Sequence, residues 1–260
     1  MKELRKHGKQ PYEVAVIHGG PGAIGDMYPV ARHISTITGV LEPLQTKSSI
    51  NKLINQLKNV IENNANKSLT LIGHSWGSWL SILFAAQYPS KVKKLILVGC
   101  APLESEYAKV IHKTRLNRLT GIEKEKFTSL VESLNYADNT ENIAELFELF
   151  KKTDSYEPIT VKEDMKFFLD LHNLIWSEAE KLRKTGQLLN YVNKINCAIT
   201  IIHGAYDPHP LEGVINPLNK KARDVKLIVL DKCGHTPWIE KFAKREFYKV
   251  LEREISSNSL

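Results

Sequence analysis

The chain has 260 residues and is 42% hydrophobic, enough to bury a sizeable core in one α/β domain with an insertion. Its three cysteines, Cys100, Cys197 and Cys233, are widely spaced with no C-x-x-C, which argues against a disulfide framework or a zinc site. The formal charge of +7 is carried by lysines and arginines placed singly or in pairs among acids, a pattern that reads as a solvated surface and excludes a nucleic-acid stripe.

The first ten residues are charged and lead into no apolar h-region, and no apolar run approaches membrane-spanning length, so a cytoplasmic protein with no membrane partner is expected. Glu13 to His18 is an apolar run that ends in Gly19-Gly20-Pro21-Gly22, the form of a buried strand opening into a backbone-rich loop. Met27 to Ile37 can hold a helix, and Gly39 to Leu44 a weak strand that Pro43 confines to an edge or a strand end. Ile50, Leu53, Ile54, Leu57, Val60 and Ile61 form an amphipathic stripe, with Ser48 or Ser49 as its cap. Next comes the apolar strand Leu69 to Ile72, then Gly73-His74-Ser75-Trp76-Gly77, then a helix apolar on nearly every side that ends near Pro89. Val92 to Val98 is a further strand. Near-continuous apolar strands alternating with helices predict a mostly parallel central sheet with helices on both faces.

After Ala101-Pro102 the alternation stops for about ninety residues of amphipathic helix pattern: Phe127, Leu130, Val131 and Leu134; Ile143, Leu146, Phe147 and Phe150; Met165, Phe168, Leu169, His172 and Trp176. This predicts a helical cap insertion over residues 104–194, set into a core domain of residues 1–103 and 195–260. Residues 104–194 hold 14 Lys/Arg against 16 Asp/Glu, so the insertion is net −2 and the remainder +9. The sheet resumes at Ala198 to His203, followed by the loop Gly204 to Pro210, a short helix, and the strand Val225 to Leu230. Cys233-Gly234-His235 lies just beyond that strand, and a helix over roughly Ile239 to Ile255 closes the domain.

Gly-x-Ser-x-Gly between a strand and a helix is the form of a nucleophile elbow, with Gly73 and Gly77 required where strand and helix pass too close for side chains. A serine needs a base and an orienting acid to attack a carbonyl. Ser75, Asp207 and His235 each follow a different strand, and in a parallel sheet those strand ends share one rim, so the three are the candidate catalytic residues. The backbone N–H groups of Gly20 and Trp76 are the candidate oxyanion donors. Glu104 is the substitute candidate for the acid, and His209, between two prolines, reads as a loop residue lining the pocket. His74 reads as packing under the elbow, His18 and His203 as histidines satisfied by backbone, and Cys233 as a structural thiol. No metal site is expected, since no His/Asp/Glu group has ligand spacing along the sequence.

With His18-Gly19-Gly20-Pro21-Gly22, Gly73-His74-Ser75-Trp76-Gly77, Asp207 and His235 in this order, the chain resembles the α/β-hydrolase superfamily over nearly its whole length. The His-Gly-Gly-Pro-Gly loop with a Gly-x-Ser-Trp-Gly elbow is similar to the proline iminopeptidase branch, whose members remove N-terminal proline and related residues from peptides. Two features depart from that branch. There is no room before the oxyanion loop for its usual antiparallel strand pair, and its Asp-Gln-Arg-Gly motif is replaced near Glu42-Pro43-Leu44-Gln45. The resemblance implies a serine hydrolase that needs no cofactor and acts on a small-molecule or short-peptide substrate. Glu178 beside Trp176 is the candidate holder of a substrate ammonium group, with Glu106 and Glu180 as further acids. Esterase and carbon-carbon bond hydrolase readings stay open, as does a non-catalytic small-molecule receptor.

Overall fold

The structure is a computed structural model that describes residues 2–133, 143–160, 165–222 and 224–257. The six expected apolar runs are strands: β2 (Tyr12–Ile17), β4 (Gly39–Pro43), β5 (Leu69–His74), β6 (Val92–Val98), β8 (Ala198–Gly204) and β9 (Val225–Leu230). All six run parallel, and a seventh strand, β1 (Leu4–His7), adds antiparallel to β4, giving the order β1-β4-β2-β5-β6-β8-β9. One antiparallel strand therefore does precede the Gly-rich loop. Its two inward polar side chains, Arg5 and His7, meet the fully buried Glu42 carboxylate at 3.5 and 2.7 Å, a charge pairing rather than an apolar alternation.

Successive side chains of a strand face opposite sides of the sheet. Ala15, Ile17, Leu71, Leu95, Leu97, Ile199 and Ile201 accordingly join a core with helices α2 (Ile50–Asn64), α3 (Trp76–Gln87) and α9 (Glu212–Lys221). Val14, Val16, Ile72, Ile96, Val98 and Ile202 join a second core with α1 (Tyr28–Ile34) and α10 (Lys244–Ser256). The register sets Ile17 beside Gly73, His74 beside Val98, Val98 beside Ile202 and Gly204 beside Leu230, so the carboxyl ends share one rim. Helix α3 is buried from Trp76 through Ala85, as its all-round apolar sequence requires. Ser49 caps α2, its Oγ accepting from the Lys52 N–H at 3.4 Å.

Between β6 and β8 lie α4 (Ser105–Asn117), α5 (Gly121–Ser133), α6 (Ile143–Asp154), α7 (Leu169–Lys184) and α8 (Gln187–Val192). Leu134 lies outside the described residues. Leu119, Phe127, Leu130, Leu146 and Leu149 form a small core of their own, whereas Ile175, Ala179, Leu188 and Val192 belong to the core of the sheet. The segment thus has two parts, one independent and one continuous with the main domain. The helical pattern expected from Met165 starts only at Leu169, because Lys166–Phe167 form a short strand, β7, antiparallel to β3 (Ala23–Ile24) in the loop after β2.

Where α3 crosses the sheet, a Cβ on Gly77 would lie 2.2 Å from the Ile17 carbonyl oxygen, and one on Gly73 would lie 2.4 Å from that of Gly77. Both are backbone contacts that cannot yield locally. Gly77→Ala is expected to cost at or above the roughly 3 kcal/mol upper end of ordinary overpacking. Gly121→Ala, at the start of α5 with open space around it, should change stability by no more than about 1 kcal/mol, in the stabilising direction. Urea unfolding of the two variants checks the contrast.

Candidate active site

Ser75 stands between β5 and α3 with φ 52° and ψ −116°, a strained backbone for a residue with a side chain. Its N–H donates to the Val98 carbonyl at 2.9 Å, which fixes the turn against the end of β6. Trp76 is the first residue of α3, and the N–H groups of a helix's first turn have no partner within the helix.

His235 reaches the same rim from the loop after β9. Its Nδ1 donates to Asp207 Oδ2 at 2.8 Å, and a Cβ on Gly99, just past β6, would lie 3.1 Å from that nitrogen. Asp207 is engaged twice. His209 Nδ1 donates to the other oxygen, Oδ1, at 2.7 Å, the His209 N–H does so at 2.9 Å, and the His209 ring stacks on that of His235 at 4.2 Å. Burial opposes a charge on Asp207, but the charges and hydrogen bonds of His235 and His209 hold its carboxyl well below the usual carboxylate range. His203 Nε2 donates to the His209 carbonyl at 2.9 Å and so fixes the loop beneath.

The backbone of His235 is held from outside the sheet. Its N–H donates to the Asp154 carbonyl at 2.7 Å, at the end of α6, and its own carbonyl accepts from His74 Nε2 at 3.1 Å. Glu240 is fully buried, and its carboxylate accepts from the N–H groups of Gly234, Tyr156 and Glu157 at 2.7, 2.8 and 2.9 Å. The Asp154 side chain pairs bidentately with Arg115 of α4 at 2.8 and 2.5 Å, and Arg115 holds its carboxyl below the usual range against the effect of burial.

The loop after β2 brings Gly20, at φ 100°, to the elbow. The Gly19 N–H donates to the Asp26 carboxylate at 3.2 Å, and the same group receives His74 Nδ1 at 3.1 Å. On its outer side the loop meets the segment between β6 and β8: the Phe168 N–H donates to the Gly22 carbonyl at 3.0 Å, and His172 Nδ1 to that of Pro21 at 3.1 Å.

The family profile for the alpha/beta hydrolase fold matches residues 42–242, well over half of the chain. The chain belongs to the α/β-hydrolase fold family. No sequence among the curated proteins matches. Among solved structures the chain is similar to VinJ, with TM-score 0.73 and 17% identity over 98% of this chain and 94% of that one. It is also similar to the proline iminopeptidase of Mycobacterium smegmatis (0.65, 16%, 97% and 93%). A third is the 2-hydroxy-6-oxo-6-phenylhexa-2,4-dienoate hydrolase of Rhodococcus sp. strain RHA1 (0.63, 16%, 98% and 94%). At these identities the likeness is one of α/β-hydrolase fold.

Within this α/β-hydrolase fold the acids expected to meet a substrate amine have the following surroundings. Glu178 is exposed, and its Oε2 accepts from the Ile50 N–H at 2.9 Å, at the amino end of α2 where a helix start needs an acceptor. Glu180 pairs with Lys184 at 2.9 Å, and Glu106 is exposed on α4. Glu104 is half-buried before α4, and it is Asp207 that reaches His235. Trp176 stacks on Trp79 at 6.0 Å with the Arg183 guanidinium 5.4 and 5.7 Å from the two ring centres, so its face is covered by protein. His209, expected as a loop residue, braces Asp207 through Nδ1. Cys233 is buried against Gly234, and burial pushes its thiol pKa up.

The fold also assembles a group that spacing along the sequence conceals. Asp207, His209 and His235 present possible metal-ligand atoms within 4.8 Å of one another among the described residues. Both Nδ1 atoms already donate to the carboxylate, so a metal bound through them would have to replace those protons. Two surface grooves, of about 530 Å³ beside α2 and about 480 Å³ along α10, include neither Ser75, Asp207 nor His235 in their lining. Among the described residues no helix is long and apolar enough to cross a membrane.

The depressed pKa of Asp207 ties stability to pH. A carboxylate held below its unfolded value near 3.9 stabilises the fold above that pH and loses this contribution as pH falls toward the folded value. The stability advantage of the wild type over Asp207→Asn is therefore expected to shrink steadily as pH is lowered from about 5 to about 3, toward the folded carboxyl's range. Urea unfolding of both proteins across that range measures it.

Proposed function

We propose that this α/β-hydrolase is a serine hydrolase that cleaves an ester or amide bond of a small substrate through Ser75, His235 and Asp207. The observation that carries the reading is the 2.8 Å hydrogen bond from His235 Nδ1 to a buried, doubly engaged Asp207, with the His235 carbonyl held by His74, the residue that precedes the serine at φ 52°. A ring whose Nδ1–H is committed to a carboxylate leaves Nε2 as the base, and Asp207 steadies the imidazolium that forms. Ser75 Oγ attacks the carbonyl carbon as its proton passes to His235 Nε2, and the N–H groups of Gly20 and Trp76 receive the oxyanion. His235 returns the proton to the leaving group, and water then attacks the acyl-enzyme by the reverse route. The segment of residues 104–194 acts as the cap that selects substrates; its contacts to Gly22 and Pro21 support that role.

Between ester and aminopeptide substrates the geometry favours the ester. A substrate ammonium in a water-poor site needs a carboxylate partner. Glu178 and Glu180 have other partners, and Asp154 is neutralised by Arg115. Ser75→Ala is expected to abolish turnover of p-nitrophenyl butyrate with the circular dichroism spectrum unchanged; near-normal turnover would refute the mechanism. Proline and alanine arylamides should be cleaved no faster than their N-acetyl forms. A preference for the free amine on the order of a hundredfold, the worth of a hydrogen bond to a charged group at about 1.5 to 3 kcal/mol, would restore the aminopeptidase reading.

A further inference from the structure

The stretch Glu42-Pro43-Leu44-Gln45 stands where the similar peptidases carry another motif, and Gln45 is 95% buried at the carboxyl end of β4. It makes three hydrogen bonds. Its side-chain Nε2 donates to the His18 carbonyl at 2.7 Å, its Oε1 accepts from the Trp76 indole Nε1 at 2.7 Å, and its backbone N–H donates to His18 Nε2 at 3.0 Å. We infer that Gln45, acting with His18, is the positioning residue that aims both oxyanion donors. The inference rests on the acyl-transfer reading above.

The argument runs through the peptide planes. The Gly20 N–H belongs to the same planar unit as the Gly19 carbonyl and, in a trans peptide, points the opposite way, so whatever holds that carbonyl aims that N–H. His18 Nδ1 lies 2.9 Å from the Gly19 oxygen. Only a protonated Nδ1 can donate there, and the Gln45 N–H requires an unprotonated Nε2, so Gln45 selects the tautomer that restrains the Gly20 N–H. His18 is fully buried, and burial lowers its pKa, which keeps the ring neutral as this pattern demands. On the other side, the Gln45 carboxamide fixes the indole of Trp76, whose backbone N–H is the second donor, while the same carboxamide holds the His18 carbonyl. One amide side chain thus ties together two loops that follow different strands, and the space between their N–H groups is the oxyanion site. Preorganised donors are effective because they need not reorient as charge develops.

Two measurements test this. In the wild-type protein, 15N-resolved spectra of the histidine rings should show His18 as the neutral Nδ1–H form at pH 7; a protonated Nε2 overturns the inference whatever the variants do. In Gln45→Leu, kcat on p-nitrophenyl butyrate should fall about 10- to 100-fold with KM within about twofold, since a lost oxyanion donor costs about 10²- to 10³-fold and a misaimed one less. Affinity for a trifluoromethyl ketone, which forms a tetrahedral adduct with the serine, should fall by a similar factor. A role confined to stability would lower the unfolding temperature and leave kcat and adduct affinity of the folded fraction unchanged, and that result overturns the inference. Should Gln45→Leu not fold, Trp76→Phe carries the comparison, because it removes only the indole donor and keeps the backbone N–H. Full kcat and full adduct affinity there overturn the inference as well. Each of these outcomes is distinct from an active Ser75→Ala enzyme, which removes the acyl-transfer reading itself.

Discussion

The structure depends on a close approach. Helix α3 passes β2 and β5 so tightly that at Gly73 and Gly77 the space for a Cβ is taken by carbonyl oxygens. A chain that leaves a strand and enters a helix within one residue at that distance has no relaxed conformation for the residue between, and Ser75 takes φ 52° as a result. The strain is sustained because α3 is buried over ten consecutive residues, and an apolar burial of that size outweighs one unfavourable turn. The same approach lays the start of α3 beside the end of β2, with Gly77 against the Ile17 and His18 carbonyls and Gly19 against His74. Packing in the core thereby sets the geometry at the rim.

A second regularity is the treatment of buried carboxylates. Asp207, Asp154, Glu240, Glu42 and Glu254 are all out of water, and each is surrounded by donors. Asp207 takes two imidazoles, Asp154 a guanidinium, Glu240 three peptide N–H groups, and Glu254 the ammonium of Lys94 at 3.0 Å with Thr200 at 3.1 Å. Such groups add little net stability while paired and are costly once a partner is removed, so their value is to enforce one arrangement. Three of the five lie in or against the loops that carry His235. The side of the candidate site that carries His235 is the side most heavily cross-linked by charge.

Much of this was readable in the order of residues. Strands buried on both faces show as apolar runs, so β2, β5, β6, β8 and β9 stand out, and glycines at fixed offsets mark the elbow. β1 does not show, because Arg5 and His7 occupy the positions where an apolar alternation would be seen and their partner, Glu42, lies 35 or more residues away. β7 does not show because two residues carry no period, and only the proximity of Ala23–Ile24 makes them a strand. Ser75, Asp207 and His235 were legible as an ordered set of strand ends. The roles of His209, Gln45, Asp154 and Glu240 were not, since each is defined by a backbone group that the fold brings from a distant loop. The contacts of Glu178 and Trp176 were hidden for the same reason: neighbours on a helix read as a pair, whereas one accepts from the start of α2 and the other stacks on Trp79.

The carbonyl that holds the His235 N–H belongs to Asp154, and Glu240 reaches the N–H groups of Tyr156 and Glu157 from the other side. The helical segment is for this reason not a separable module. A chimera that replaced the whole span between β6 and β8 with that of another family member would import a foreign frame for His235, and residues 154–159 would have to stay with the parent. Among the described residues the portions freest to diverge, in the laboratory or over descent, are 105–133 and 143–152, provided that cations are kept at position 115, for Asp154, and at position 118, which reaches the Thr153 carbonyl and the Tyr206 ring.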